Sequence, residues 1–222
     1  MNGRLATIRQ KLFQLIEADK NFKIFGSNEP WNGHQYILNP TLNEEELTDF
    51  EVYVNVTLPG EYRSFLHEIA DGGAGPFYGL FSLNDGAMKF GLEEDSTHQD
   101  YINRFKDFPV TTREAKHFVH NLSKLSKDPK TYFDRDDYPE SISFMTPLIE
   151  NEWVGALCLS HYGCGGYYAL IVKGECYGQV WYAAEEGCLA PLCDERGAIF
   201  TFFDWYEYWL DKSLQQVKEQ NA

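Results

Sequence analysis

The chain has 222 residues, enough for one substantial core, and no Pro/Ser-rich linker cuts it into independent units, so a single domain spanning 1–222 is expected. Its 34 Asp and Glu against 19 Lys and Arg give a formal charge of -15, which repels a phosphate backbone and argues against direct nucleic-acid binding; the longest apolar runs also fall short of the roughly 18 residues a membrane span needs. With 43% hydrophobic and 16% aromatic residues, the chain can bury enough apolar area to offset chain entropy, so the acidity belongs to a globular protein and suits a basic partner.

In chain order, Leu5, Ile8, Leu12, Leu15 and Ile16 recur at helical spacing and predict an amphipathic first helix that covers a sheet. The opening Met1-Asn2-Gly3-Arg4 leads into this segment rather than into the apolar run of a secretory signal. Around 30–40, Asn, Gly and Pro predict an irregular connection. Thr41 and Glu44 have capping-box spacing, and Glu44, Glu45 and Glu46 favour the positive end of a short second helix. Val52, Val54 and Val56 alternate with Tyr53 and Asn55, the period of a short strand that Leu58-Pro59 ends. Pro59 then suits the first turn of a helix whose buried face is Tyr62, Phe65, Leu66 and Ile69.

That helix stops at Asp71-Gly72-Gly73-Ala74-Gly75-Pro76, and 77–81 reads as a strand. The stretch 84–141 is a polar, variable insert with one helix over 112–125 that places Ala115, Phe118, Leu122 and Leu125 on one side; the flank at 127–140 reads as mobile. Strands over 153–160, 167–172 and 178–182, separated by glycine-bearing turns, predict an antiparallel meander. Thr201 with Asp204 signals the start of a last helix, whose Phe202, Trp205, Tyr206, Trp209 and Leu210 dock on the sheet. The expected fold is α+β: a curved, mainly antiparallel sheet flanked by helices, with the N- and C-terminal helices packed on it.

Two ordered blocks resemble the SUKH superfamily, which includes the fungal Smi/Knr cell-wall-synthesis regulators and many bacterial immunity proteins. The first is Phe50-Glu51, then Leu58-Pro59-Gly60-Glu61-Tyr62-Arg63-Ser64-Phe65-Leu66, Asp71-Gly72-Gly73-Ala74-Gly75-Pro76 and Tyr78-Gly79-Leu80. The second runs from Gly163-Cys164-Gly165 through Leu170-Ile171-Val172, Gly174 and Gly178-Gln179-Val180-Trp181 to Phe203-Asp204-Trp205-Tyr206-Glu207-Tyr208-Trp209-Leu210. Asp71 stands where relatives commonly carry Asn, and either residue can end a helix or enter a turn. The resemblance implies a non-enzymatic protein-binding domain: in bacteria, an immunity protein that neutralises a co-encoded toxin such as a nuclease; in the fungal branch, a regulatory scaffold for a signalling or cell-wall-synthesis protein.

The residues themselves offer little chemistry. His161 with Cys164 would suit a nucleophile and its base, but no oxyanion site accompanies them, and they read as a turn histidine and a core thiol. His117 with His120 and Cys188 with Cys193 come from distant segments and lack the paired knuckles of a structural zinc site, so no metal is expected. Gly72, Gly73 and Gly75 end a helix rather than open one, and no Gly-Lys-Ser/Thr follows, so they are turn residues and not a phosphate loop. Trp181 reads as core, and no cofactor is expected. Five cysteines (Cys158, Cys164, Cys176, Cys188 and Cys193) without a secretory signal favour reduced thiols in a cytoplasm. The candidate partner-binding residues are the acidic groups Glu93, Glu94, Asp95, Asp134, Asp136, Asp137, Glu185 and Glu186, with Tyr78 as an aromatic anchor.

Overall fold

The computed structural model describes residues 2–28, 33–89, 92–125, 154–163, 165–184 and 189–220. The expected flank at 127–140 lies outside them. In chain order the described elements are α1 (Asn2–Ala18), α2 (Glu44–Val54), α3 (Gly60–Glu68), α4 (Leu83–Met88), α5 (His98–Arg104), α6 (Thr112–Leu125), β1 (Ala156–Gly163), β2 (Gly166–Ile171), β3 (Val180–Ala184), β4 (Leu189–Pro191) and α7 (Phe202–Gln220). The strands form an open antiparallel sheet in the order β1-β2-β3-β4. The α+β architecture with helices at both ends is as expected.

Both faces of the sheet are buried, and the two-residue period of the strands sorts the side chains between them. Leu157, Leu159, Tyr168, Leu170, Val180 and Tyr182 join the main core with α1, α3 and α7. Ala156, Ala169, Ile171 and Trp181 face the other way, against Phe108, Val110 and Ala115. Part of the polar stretch therefore covers the second face: α6 starts at Thr112, two residues past Val110, and buries Ala115 and Val119. Trp181 is core, as read, and is edge-on to Phe108 at 5.0 Å.

The sheet continues past β1 through single-residue antiparallel bridges, Leu80 to Ser160, Gly73 to Leu80 and Leu38 to Gly73. This ladder holds the Asp71-Gly72-Gly73 motif in place. Gly72 and Gly73 adopt φ of +86° and +94°, where a side chain is strained, and the Asp71 carboxylate accepts the Leu83 N–H at the start of α4.

Several expected elements are corrected. The predicted strand at 52–56 is the end of α2, because Asn43 and Glu46, not Thr41 and Glu44, form the capping box and the helix runs on to a left-handed Asn55 at φ 55°. Residues 77–81 pair only at Leu80, because Phe77 at φ 55° and Gly79 at φ 93° interrupt extended backbone. Pro59 is the N-cap of α3 rather than a residue of its first turn. The meander strands lie two or three residues later than expected at β1 and β3, where β1 carries two register irregularities, 175–178 is a turn and Gln179 pairs only as a single bridge to Thr201. Helices α4 and α5 and the strand β4 were not anticipated.

Helices α1 and α7 are fastened electrostatically as well as by packing. Arg4 bonds both Asp204 and Glu207 at 2.5 Å, and Lys11 reaches Asp211 at 2.8 Å. Glu61 of α3 accepts the Phe203 N–H, which ties the start of α7 to α3.

The loop after α1 folds around two buried polar side chains. Asp19 accepts from the backbone of Lys23 and Ile24 and from the Tyr36 hydroxyl at 2.7 Å. His34 Nδ1 accepts the Tyr36 N–H, and its ring meets Trp209 edge-on at 6.0 Å. Desolvation by burial lowers the His34 pKa to about 4, against the opposing pull of Asp19. The imidazole is therefore neutral in the folded protein, whereas in the unfolded chain it titrates near the ordinary value of about 6.5. Above that value it contributes nothing to the pH dependence; as pH falls from 6.5 towards 4, the unfolded state takes up the proton first and stability drops. Denaturant titrations should show His34 responsible for roughly 2 to 3 kcal/mol of the loss between pH 7 and 4.5, a component absent from His34→Gln. An unchanged pH slope in that variant would contradict the buried neutral histidine.

Candidate protein-binding surface

Tyr78 lies beyond the glycine turn, half-buried, with Phe25 edge-on at 5.3 Å and His161 of β1 at 5.7 Å. His161 also leans on Tyr167 of β2 at 4.8 Å. Lys89 stands over the rings of Phe81 and Tyr167, at 5.2 and 5.8 Å. Desolvation, then the Lys89 charge, lowers the His161 pKa. This rim is aromatic, but the charge at its edge is positive, which opposes a basic partner.

Glu93, Glu94 and Asp95 are exposed in the turn before α5. The turn is closed by the Glu93 N–H on the Ser96 hydroxyl and by the Ser96 N–H on the Glu93 carbonyl. Thr97 and Asp100 then form a capping box that starts the helix. Asp134, Asp136, Asp137, Glu185 and Glu186 lie outside the described residues.

The surface beside α5 was not anticipated. His98 stacks on Tyr53 of α2 at 4.8 Å and approaches the Tyr53 carbonyl with Nε2 at 2.7 Å, while Tyr101 meets the same ring edge-on at 5.1 Å. Val52 is 73% exposed and Tyr53 45%, on a helix that buries Leu47 and Val54. Past the Asn55 cap, a cleft of about 430 Å³ is lined by 55–57, Val172, Lys173, Gly174 and Tyr177. Lys173 Nζ donates to the Asn55 carbonyl across it, and the Tyr177 ring at its edge is 45% exposed. The signal for this surface was present in the Asn43-Glu46 and Thr97-Asp100 spacings, which start the two helices that build it.

Reactive chemistry is weakly supported. Cys164 and Cys188 lie outside the described residues. Burial raises the Cys158 thiol, and burial with neighbouring carboxylates pushes Cys176 and Cys193 up to about 11, so each stays protonated at neutral pH. His117 Nε2 lies 2.9 Å from the Asn121 amide on its own helix. Among the described residues, no three His, Cys, Asp or Glu side chains converge as a metal-binding group, and no helix is long and apolar enough to cross a membrane.

The sequence profile of the SMI1 / KNR4 family (SUKH-1) matches residues 41–204, from the approach to α2 into the first turn of α7. The chain belongs to this family. No curated protein and no solved structure matches it. In this SUKH-1 chain the recurrent motif residues serve the scaffold: Leu58 and Tyr62 are buried, Glu61 ties α3 to α7, Gly73 carries the bridge ladder and the Tyr206 hydroxyl donates to the Ala74 carbonyl. Helix α1, which the profile leaves out, packs against α7 and completes the SUKH-1 core.

Proposed function

We propose that this SUKH-1 chain is a non-enzymatic, protein-binding domain of the immunity type, which in the cytoplasm binds and blocks a basic toxin domain encoded beside it, such as a nuclease. The family match over 41–204 in a chain of net charge -15 carries the reading. A nuclease must present positive charge to the phosphate backbone, and an acidic protein competes for that surface and is steered to it through solution. Among the described residues, the Cys158, Cys176 and Cys193 thiols stay protonated and His161 packs against Tyr78 and Tyr167, which fits a binding role for these groups.

The test is co-expression with the neighbouring toxin domain. Growth should be restored and the two chains should co-purify; continued killing with the chain present in excess, and no complex on co-purification, would overturn the reading.

A further inference from the structure

The outward face of α2 has a composition that its position in the fold does not explain. The inward stripe is Leu47, Phe50 and Val54, which join the core. The opposite stripe is Glu45, Asp49, Val52 and Tyr53, at helical offsets 0, 4, 7 and 8, which place them on one side. Two residues separate Val52 from Val54, about 200° of helical turn, so Val52 points away from the core that Val54 enters. A 73% exposed valine contributes little to folding, and the tyrosine beside it stays 45% exposed although one side of its ring carries His98 and Tyr101; the surface both leave open is suited to the desolvated centre of a contact.

The charge around that centre has one sign. Helix α2 carries five acidic residues and no basic one. Glu44 and Glu51 are engaged by Arg63, and Glu46 closes the capping box, whereas Glu45 and Asp49 make no salt bridge among the described residues. The exposed 93–95 turn leads directly into α5, whose His98 and Tyr101 pack on Tyr53. Three cations on the neighbouring elements are committed: Arg63 to Glu44 and Glu51, Lys173 to the Asn55 carbonyl, and the buried Arg104 of α5 to the Ala156 carbonyl. The Tyr78 rim, by contrast, carries Lys89 at its edge.

We infer that the Glu45, Asp49, Val52 and Tyr53 face of α2, with the acidic turn before α5, docks a lysine- or arginine-rich segment of the partner protein, the apolar pair forming the dry centre and the carboxylates the rim. This rests on the immunity reading above and names its surface. Val52 and Tyr53 insert between the alkyl stems of the basic side chains, whose charged ends meet Glu45 and Asp49. No sheet edge is required, because β1 is already bridged to Leu80.

The experiment uses the full chain and the toxin domain encoded beside it, made inactive by substitution, with affinity and association rate measured on an immobilised surface. Val52→Lys should weaken binding about 30-fold or more, because it places a cation at the centre of the contact. Glu45→Lys with Asp49→Lys should slow association about tenfold at low salt and much less at high salt. Phe13→Lys, at a 61% exposed position on α1, should bind as the unaltered chain does. All three alter exposed side chains, and matching thermal transitions verify that each is folded. Binding by the unaltered chain that Val52→Lys and the double reversal leave intact would overturn the docking face alone. No binding by the unaltered chain would overturn the immunity reading and the docking face with it.

Discussion

Gly73→Ala should cost about 3 kcal/mol of stability or more and leave little folded protein at physiological temperature. The position has φ of +94°, and an added Cβ would lie 2.3 Å from the Ile37 carbonyl oxygen and 3.0 Å from the Leu38 Cα, both backbone atoms of the neighbouring bridge. Neither can move without breaking the Leu38, Gly73 and Leu80 ladder that continues the sheet beyond β1. Gly178→Ala separates conformational strain from steric clash. It too has positive φ, +83°, but an added Cβ meets only Pro59 Cβ at 4.0 Å, so its cost should be about 1 kcal/mol. Denaturant unfolding of the two variants checks the difference; equal losses would mean that the ladder contributes nothing beyond backbone conformation.

Phe202→Ala should be comparably severe, at about 4 kcal/mol. Phe202 is fully buried at the start of α7, edge-on to Tyr62 at 4.9 Å and to Phe65 at 5.1 Å, and stacked with Tyr206 at 6.0 Å. Removing it opens a cavity where α3 meets α7, among rings too large to close over the space. Tyr208→Ala, from a ring 44% exposed on the same helix, should cost less than about 1 kcal/mol. Chemical denaturation of both variants would reveal the contrast, and a small loss at Phe202 would contradict the aromatic junction as the closure of the core.

The elements legible in the sequence are those whose apolar spacing is long and whose burial is one-sided. Leu5, Ile8, Leu12 and Leu15 of α1 are buried as their spacing requires, and so are Tyr62, Phe65 and Leu66 of α3. The same holds for Phe202, Trp205, Tyr206 and Leu210 of α7, while Trp209 is only partly covered. Short elements were lost. Helix α5 is seven residues with little apolar content, started by Thr97 and Asp100 rather than by a buried stripe. Strand β4 has three residues, too few for a period to register.

The valine alternation at 52, 54 and 56 was the most consequential misreading. As a strand it placed Val52 and Val54 on one face; as a helix it separates them, sending Val54 into the core and leaving Val52 outside. The docking face was concealed by the same error. Of the anticipated partner residues, Glu93, Glu94 and Asp95 stand exposed beside α5, close in sequence to the His98 that stacks on Tyr53. Tyr78 is an aromatic anchor in chemistry, yet its ring is packed between Phe25 and His161 and sits near Lys89. Charge patterning in the sequence pointed to a basic partner, but it could not show which carboxylates the fold leaves unpaired, because Arg63 reaches Glu44 across 19 residues.

The most direct measurement of a protein-binding role is a calorimetric titration of the full chain with the inactivated toxin domain encoded beside it, at two salt concentrations. A saturable complex of one chain with one toxin domain, weakening as salt rises, is the predicted result; no heat of binding at either salt concentration, with both proteins folded, would contradict it.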